Sequence, residues 1–355
     1  MQDQKTQAEA PAATQIHYES NPFTATWTGV QRLVHTNAQT VIGVVFFNIL
    51  LFAVMGVTAV AIVLSIAAFV YKHAPGIDGS GIDAGLMGFL NSMSDVSLYA
   101  TWIIGFLVCI FASALTQSIQ LNLTIAAARG VTLTFGALLK KSVTSVLPML
   151  GLISLVLLAI LSIVLLVGLL SVVLGIITMV IGLIVILAII YVGMRLSYAT
   201  YSIVDLGLKP IAAMKHSWKL SKNHLIETVG SGAVAWMVLA IPSIVVQIFA
   251  RIAEGTPVIS GLFRIIDMVL IIALVIAAAM SFAERYVQLQ AASTGQIKPT
   301  KLHPSNYLAI LLVIVLSPIL NALSPKVETG TSAPGLYDSS LPADNSSNND
   351  MYRLN

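Results

Sequence analysis

From its N-terminus the chain alternates long apolar runs with short polar stops, a pattern far coarser than the two-residue alternation of a half-buried strand. The runs lie near 41–71, 99–125, 147–170, 172–194, 228–250, 264–283 and 307–323. About 20 helical residues at 1.5 Å each cross a hydrocarbon core of ~30 Å, so each run predicts a spanning helix. The stretch from Leu147 to Met194 is too long for one crossing and close to the length of two. Gly168, Ser171 and Gly175 near its middle predict a tight helical hairpin. The last run, LAILLVIVLSPILNAL, is short and contains Pro318, which makes it either a thin span or a re-entrant segment. The fold class is therefore all-α, a polytopic transmembrane bundle of six or seven spans.

The polar stops repeat a pattern of their own. FTATWTGVQRLVHTNAQTVIG, TFGALLKKSVTSVLPMLG and KPIAAMKHSWKLSKNHLIETVG each join a short amphipathic stretch to a polar residue and then to a span. Each such elbow is followed by two spans, so the bundle reads as three elbow-plus-hairpin units and one extra apolar segment. In the third elbow Ile211, Met214, Trp218 and Leu220 share one face while Lys215, Lys219 and Lys222 reach outward, the arrangement of a helix lying in the headgroup plane.

Composition agrees: 57% of the residues are hydrophobic and 9% charged, against about 25% charged in ordinary soluble domains. Residues 1–22 form a polar N-terminal tail without the features of a secretory signal, 23–323 the helical domain, and 324–355 an acidic tail too polar to offset its chain entropy. Cys109 is the only cysteine and lies in an apolar run, which excludes an intrachain disulfide and predicts a small hydrophobe.

Lys and Arg are retained on the cytoplasmic side of a membrane. With seven spans, most of the 18 basic residues fall on one side. Lys72, Arg251 and Arg264 fall on the other, beside Asp78, Asp83, Asp95 and Glu254. This places the protein in a cell membrane of prokaryotic type, N-terminus cytoplasmic and C-terminus external. The net charge of +3 sits next to spans, where anionic lipid explains it better than nucleic acid.

The six histidines, His17, His35, His73, His216, His224 and His303, form no metal-binding spacing, and no phosphate loop or nucleophile motif is present. We expect neither metal nor cofactor, and no enzyme of a familiar motif class. Asp267 lies three residues after Arg264 and shares a helix face with it. The pair reads either as a structural couple near the headgroups or as an intramembrane ion site. Gln117, Gln120 and Asn122 in the second span either line a polar cavity or bond neighbouring helices, as does Asn48 alone in the first. Glu284 and Arg285 read as a membrane-edge stop.

The most distinctive stretch, DLGLKPIAAMKHSWKLSKN, carries Asp205, Gly207, Pro210, Ser217, Trp218 and Asn223. Gly207 and Pro210 end the fourth span and open the elbow, and Trp218 anchors it at the interface. With the three units, covering roughly residues 23 to 290, this stretch resembles the membrane domain fused to some glycerophosphoryl diester phosphodiesterases and related uncharacterised six-helix bacterial membrane proteins. The phosphodiesterase activity does not carry over, since its separate soluble barrel needs on the order of 250 residues. The resemblance implies a membrane module of lipid-associated role. The expected function is a non-enzymatic module that organises lipid, through anionic headgroups, or a membrane protein partner. The alternative is a transporter or exporter of a small or lipidic substrate.

Overall fold

The computed structural model describes residues 18–73, 92, 94–174, 177–252, 256–299 and 301–323. Within them the chain is helix joined by short turns. The helices are α1 (Pro22–His73), α2 (Asp95–Ala128), α3 (Phe135–Leu174), α4 (Ile177–Leu196) and α5 (Ala199–Leu206). They are followed by α6 (Pro210–Ser221), α7 (Leu225–Ile252), α8 (Pro257–Ser293) and α9 (Ser305–Leu323). Six helical stretches are long and apolar enough to cross a membrane. This is a multi-pass membrane protein. The short seventh apolar helix, α9, has 19 residues and rises about 28 Å, just under the ~30 Å hydrocarbon core.

The three units recur, each with a different elbow. In α1 the elbow is joined to the span across Asn37, whose backbone leaves the helical region at φ −130 and ψ 22. In α3 it runs unbroken through Pro148 into the span. Only the third elbow, α6, is a separate helix, opened by Pro210 after the left-handed cap at Gly207, φ 63. The fourth span ends close to the expected position near 194, and Gly207 closes a further short helix instead of the span. The span ends at Leu196, and residues 199–206 form the separate buried helix α5. α3 continues through Gly168 and Ser171 to Leu174, and the residues that join it to α4, Gly175 among them, lie outside the described residues. The tail from 324 and residues 1–17 of the N-terminal tail also lie outside them; Tyr18, the first described residue, is buried.

α2, α3 and α8 hold 34, 40 and 37 residues, about 50 to 60 Å each, nearly twice the hydrocarbon thickness. The excess gathers at one end, where the elbows, α5 and the last turns of α2 and α8 pack together. There α2 is buried without a break from Ser118 to Ala128, and α8 buries Ala283 through Leu289 almost all round. At the far end the same helices turn apolar side chains outward, among them Ile103 and Phe106 of α2, Leu165 and Leu169 of α3, and Leu183 and Leu187 of α4. One end is thus packed like a soluble core and the other is solvated by lipid. Tyr99, Trp102 and Phe69 cluster at the far end, and Trp27, Tyr191 and Trp218 stand half-exposed towards the elbow end, the positions of two aromatic belts.

Candidate functional site

The elbow end is built around α8. Its run SFAERYVQLQ, residues 281–290, interleaves polar with apolar side chains on every face. A solvated helix end would show an apolar stripe on one side only. The structure buries the run instead, which corrects the reading of Glu284 and Arg285 as a membrane-edge stop: they are 6% and 1% exposed. Glu284 accepts from Arg32 of α1 at 2.9 Å, and the same guanidinium caps the α2 carbonyl of Ala128 at 2.7 Å. Gly29 makes room for this pair, because a Cβ there would stand 2.8 Å from Glu284 Cγ.

Arg285 faces the opposite way. It donates to Glu227 in the first turn of α7 at 3.1 Å, and its guanidinium lies 5.6 Å from the Tyr18 ring centre. Tyr18 donates to the same carboxylate at 2.5 Å, and His224 stands 3.4 Å from it. Burial and the Glu227 carboxylate push the Tyr18 hydroxyl well above its ordinary range. Residues 18–21 are thereby strapped between α7, α8 and α9, with Asn306 donating to the Ser20 carbonyl at 2.9 Å.

A third ion pair includes Asp205 at the end of α5, whose side chain is 1% exposed. It accepts from Arg129 at 2.6 Å and from Tyr286 at 3.1 Å, and Arg129 also reaches Gln290 at 2.8 Å. The motif residue Asp205 therefore locks α2, α5 and α8 together. Ser217 has a similar part. Its hydroxyl donates to the Arg195 carbonyl at 2.7 Å and accepts from the Tyr198 amide at 3.1 Å. This satisfies the backbone at the break between α4 and α5.

The inner face of α6 is Ala213, Ser217, Leu220 and Ser221. This corrects the expected apolar face: Ile211 and Trp218 are 61% and 40% exposed, Met214 is half-buried, and only Leu220 is buried. Small side chains let α6 dock closely, and its larger apolar groups share the outer side with Lys215, Lys219 and Lys222. Trp218 meets Tyr191 edge-on at 6.2 Å, and the Arg195 guanidinium lies 5.5 Å from the Trp218 ring. Asn223 is exposed in the turn to α7. His216 is held by Ser202 at 2.9 Å. Burial lowers the imidazole below its ordinary 6.5, Asp205 opposes this, and Lys219 adds to it.

The other candidates do not converge. Gln117 faces outward while Gln120 is buried. Asn122 joins α2 to α3 through Ser142 at 3.1 Å, as helix-to-helix bonding predicts. Asn48 is fully buried with neither amide atom bonded among the described residues, so the same reading fails there. Asp267 has one carboxylate oxygen buried and unbonded among the described residues, and the Arg264 side chain lies outside them. Among the described residues no three His, Cys, Asp or Glu side chains are placed to hold a metal ion. Comparison with protein-family models, curated proteins and solved structures returned no match.

Proposed function

We propose that the chain is a non-enzymatic cell-membrane module that gathers anionic lipid at its elbow end, which faces the cytoplasm. One observation carries this reading: α6 is fastened through Ala213, Ser217 and Ser221 so that Lys215, Trp218, Lys219 and Lys222 stand exposed together on its outer side. The carboxylates of Asp205 and Glu227 are taken by Arg129 and Arg285, and the lysines face outward from the fold. Each contributes about 1 kcal/mol near an anionic leaflet. The ion-paired layer beneath holds the elbow in place. The resemblance to phosphodiesterase-linked membrane domains supports a lipid-associated role. The orientation, N-terminus inside and C-terminus outside, rests on the distribution of Lys and Arg.

The test uses the full chain in vesicles of mixed phosphatidylcholine and phosphatidylglycerol, excised as polymer-bounded patches. The wild type retains phosphatidylglycerol in excess of its bulk share, and the Lys215→Gln, Lys219→Gln, Lys222→Gln triple variant loses that excess. Equal retention by both proteins overturns the reading. Transport of a small or lipidic substrate is favoured by one observation, the unbonded carboxylate oxygen of Asp267 in α8. Substrate flux abolished by Asp267→Asn is the result that would replace the first reading with this one.

A further inference from the structure

A cleft of about 440 Å³ opens on the lipid side between α4, α7 and α9. Gly232 and Ala233 form its floor with Phe282, Gly193 lines one wall, and Ile310 and Ile314 line the other. Small residues create it. A Cβ on Gly232 would lie 3.2 Å from the Phe282 ring, whereas a Cβ on Gly193 would meet nothing within 4 Å.

Its two hydroxyls, those of Ser197 and Thr228, are already engaged. Ser197 donates to the Met194 carbonyl, and Thr228 accepts from Tyr198 and donates to the His224 carbonyl. Apart from the Trp236 indole the remaining lining is apolar, and a hydrocarbon chain loses little by entering it. The elbow end of the cleft has the opposite character. α7 begins at Leu225, three residues after the exposed Lys222, and lines the cleft from Thr228. The α9 wall begins beside Tyr307, 54% exposed and one turn before Ile310. An apolar recess that opens under an exposed basic turn matches the two halves of one ligand.

We propose that this cleft seats one acyl chain of an anionic glycerophospholipid whose phosphate is held at the elbow end by Lys219 and Lys222. The inference rests on the lipid-associated reading and adds a defined, saturable position to it.

The test reconstitutes the full chain with phosphatidylglycerol or phosphatidylcholine carrying a photoactivatable acyl chain, and maps the labelled peptides. The phosphatidylglycerol probe labels α4, α7 and α9 around the cleft above its labelling elsewhere. Gly193→Phe, whose Cβ enters open space, fills the recess and cuts that label about tenfold, the loss expected when two buried methylenes are displaced. Gly193→Leu does the same to a smaller degree should the larger ring disturb folding, which thermal unfolding in detergent monitors. Label spread evenly over the exposed faces of α1 and α3, or unchanged in both variants, overturns the cleft. If the lysine-dependent excess of phosphatidylglycerol then persists, the broader reading stands; if that excess is absent as well, both fall. Equal labelling of the cleft by the two probes overturns the anionic half of the proposal.

Discussion

At the scale of single residues the elbow end is governed by charges that have left water in pairs. Glu227 and Arg285 are 4% and 1% exposed, and removing one member strands the other, which costs about 3–5 kcal/mol for a buried pair. Glu227→Gln is therefore expected to lower the thermal unfolding midpoint in detergent strongly. Tyr18→Phe, which removes one bond to a charged acceptor and leaves the ion pair, should lose only about 1.5–3 kcal/mol. The reverse order would show that the N-terminal strap, and not the pair, holds α7 to α8. His216 supplies a pH test. Its imidazole titrates below 6.5 in the fold, so between the two values the unfolded chain binds more protons. Its share of stability is present above about 6.5 and lost as pH falls. His216→Asn should flatten the decline in unfolding midpoint between neutral and mildly acid pH, and a decline as steep as the wild type's would remove His216 as its source. Of these residues Asp205 was visible in the sequence because it sits in a distinctive motif. Its partner Arg129 was not, since the two meet across 76 residues and no local spacing records that. Glu284 and Arg285 misled because a charged pair after an apolar run is the usual mark of a membrane edge. The contrary signal was the interleaved Ala283, Val287 and Leu289, all 2% exposed or less.

At the scale of elements, what local chemistry dictates was legible and what tertiary contact dictates was not. Gly207 and Pro210 marked the end of α5 and the start of α6 through φ alone. The break between α4 and α5 has no such marker. It is stabilised by Ser217 and Ser221, whose hydroxyls reach the Arg195 carbonyl from 22 and 26 residues away. The kink at Asn37 likewise depends on the α2–α3 loop, where its side chain accepts from the Leu133 amide at 3.0 Å. The seam of α9 against α7 gives the sharpest test of element packing. A Cβ on Gly230 would lie 2.4 Å from the Asn306 side-chain oxygen, and Asn306 also ties α9 to Ser20. Gly230→Ala should push α9 outward, destabilise the fold by about 1–3 kcal/mol, and raise hydrogen exchange in the first turns of α9. Gly193→Ala, with open space around it, should change neither. Equal effects of the two would mean that helix propensity, and not the close approach, sets the response.

At the scale of the whole molecule the long helices pass from one solvent to another, and the difference between their two ends makes the orientation testable. Aromatic side chains mark the far level at Tyr99 and Trp102, and the polar elbow end begins near Gln120 of the same helix, about 20 residues and ~30 Å on. The three ion pairs, two of them with a partly exposed arginine, lie beyond the apolar part of each span, where partial hydration lowers the penalty of burying charge. Among the described residues the far end carries exposed contacts of Asp95 with Lys72 at 2.8 Å and His73 at 3.6 Å. A leaflet that attracts cations should therefore meet the elbows, and orientation can be read with single cysteines. Cys109 is the one native cysteine, so Cys109→Ala gives a blank background. Onto it Asn223→Cys places a thiol in the exposed turn between α6 and α7, and Ser94→Cys places one at the exposed cap of α2. In intact cells a membrane-impermeant maleimide should label position 94 and spare position 223, and permeabilisation should make 223 reactive. Labelling of 223 alone would invert the molecule. The lysines of α6 would then face the outer leaflet, and the anionic lipid would have to be supplied from that side.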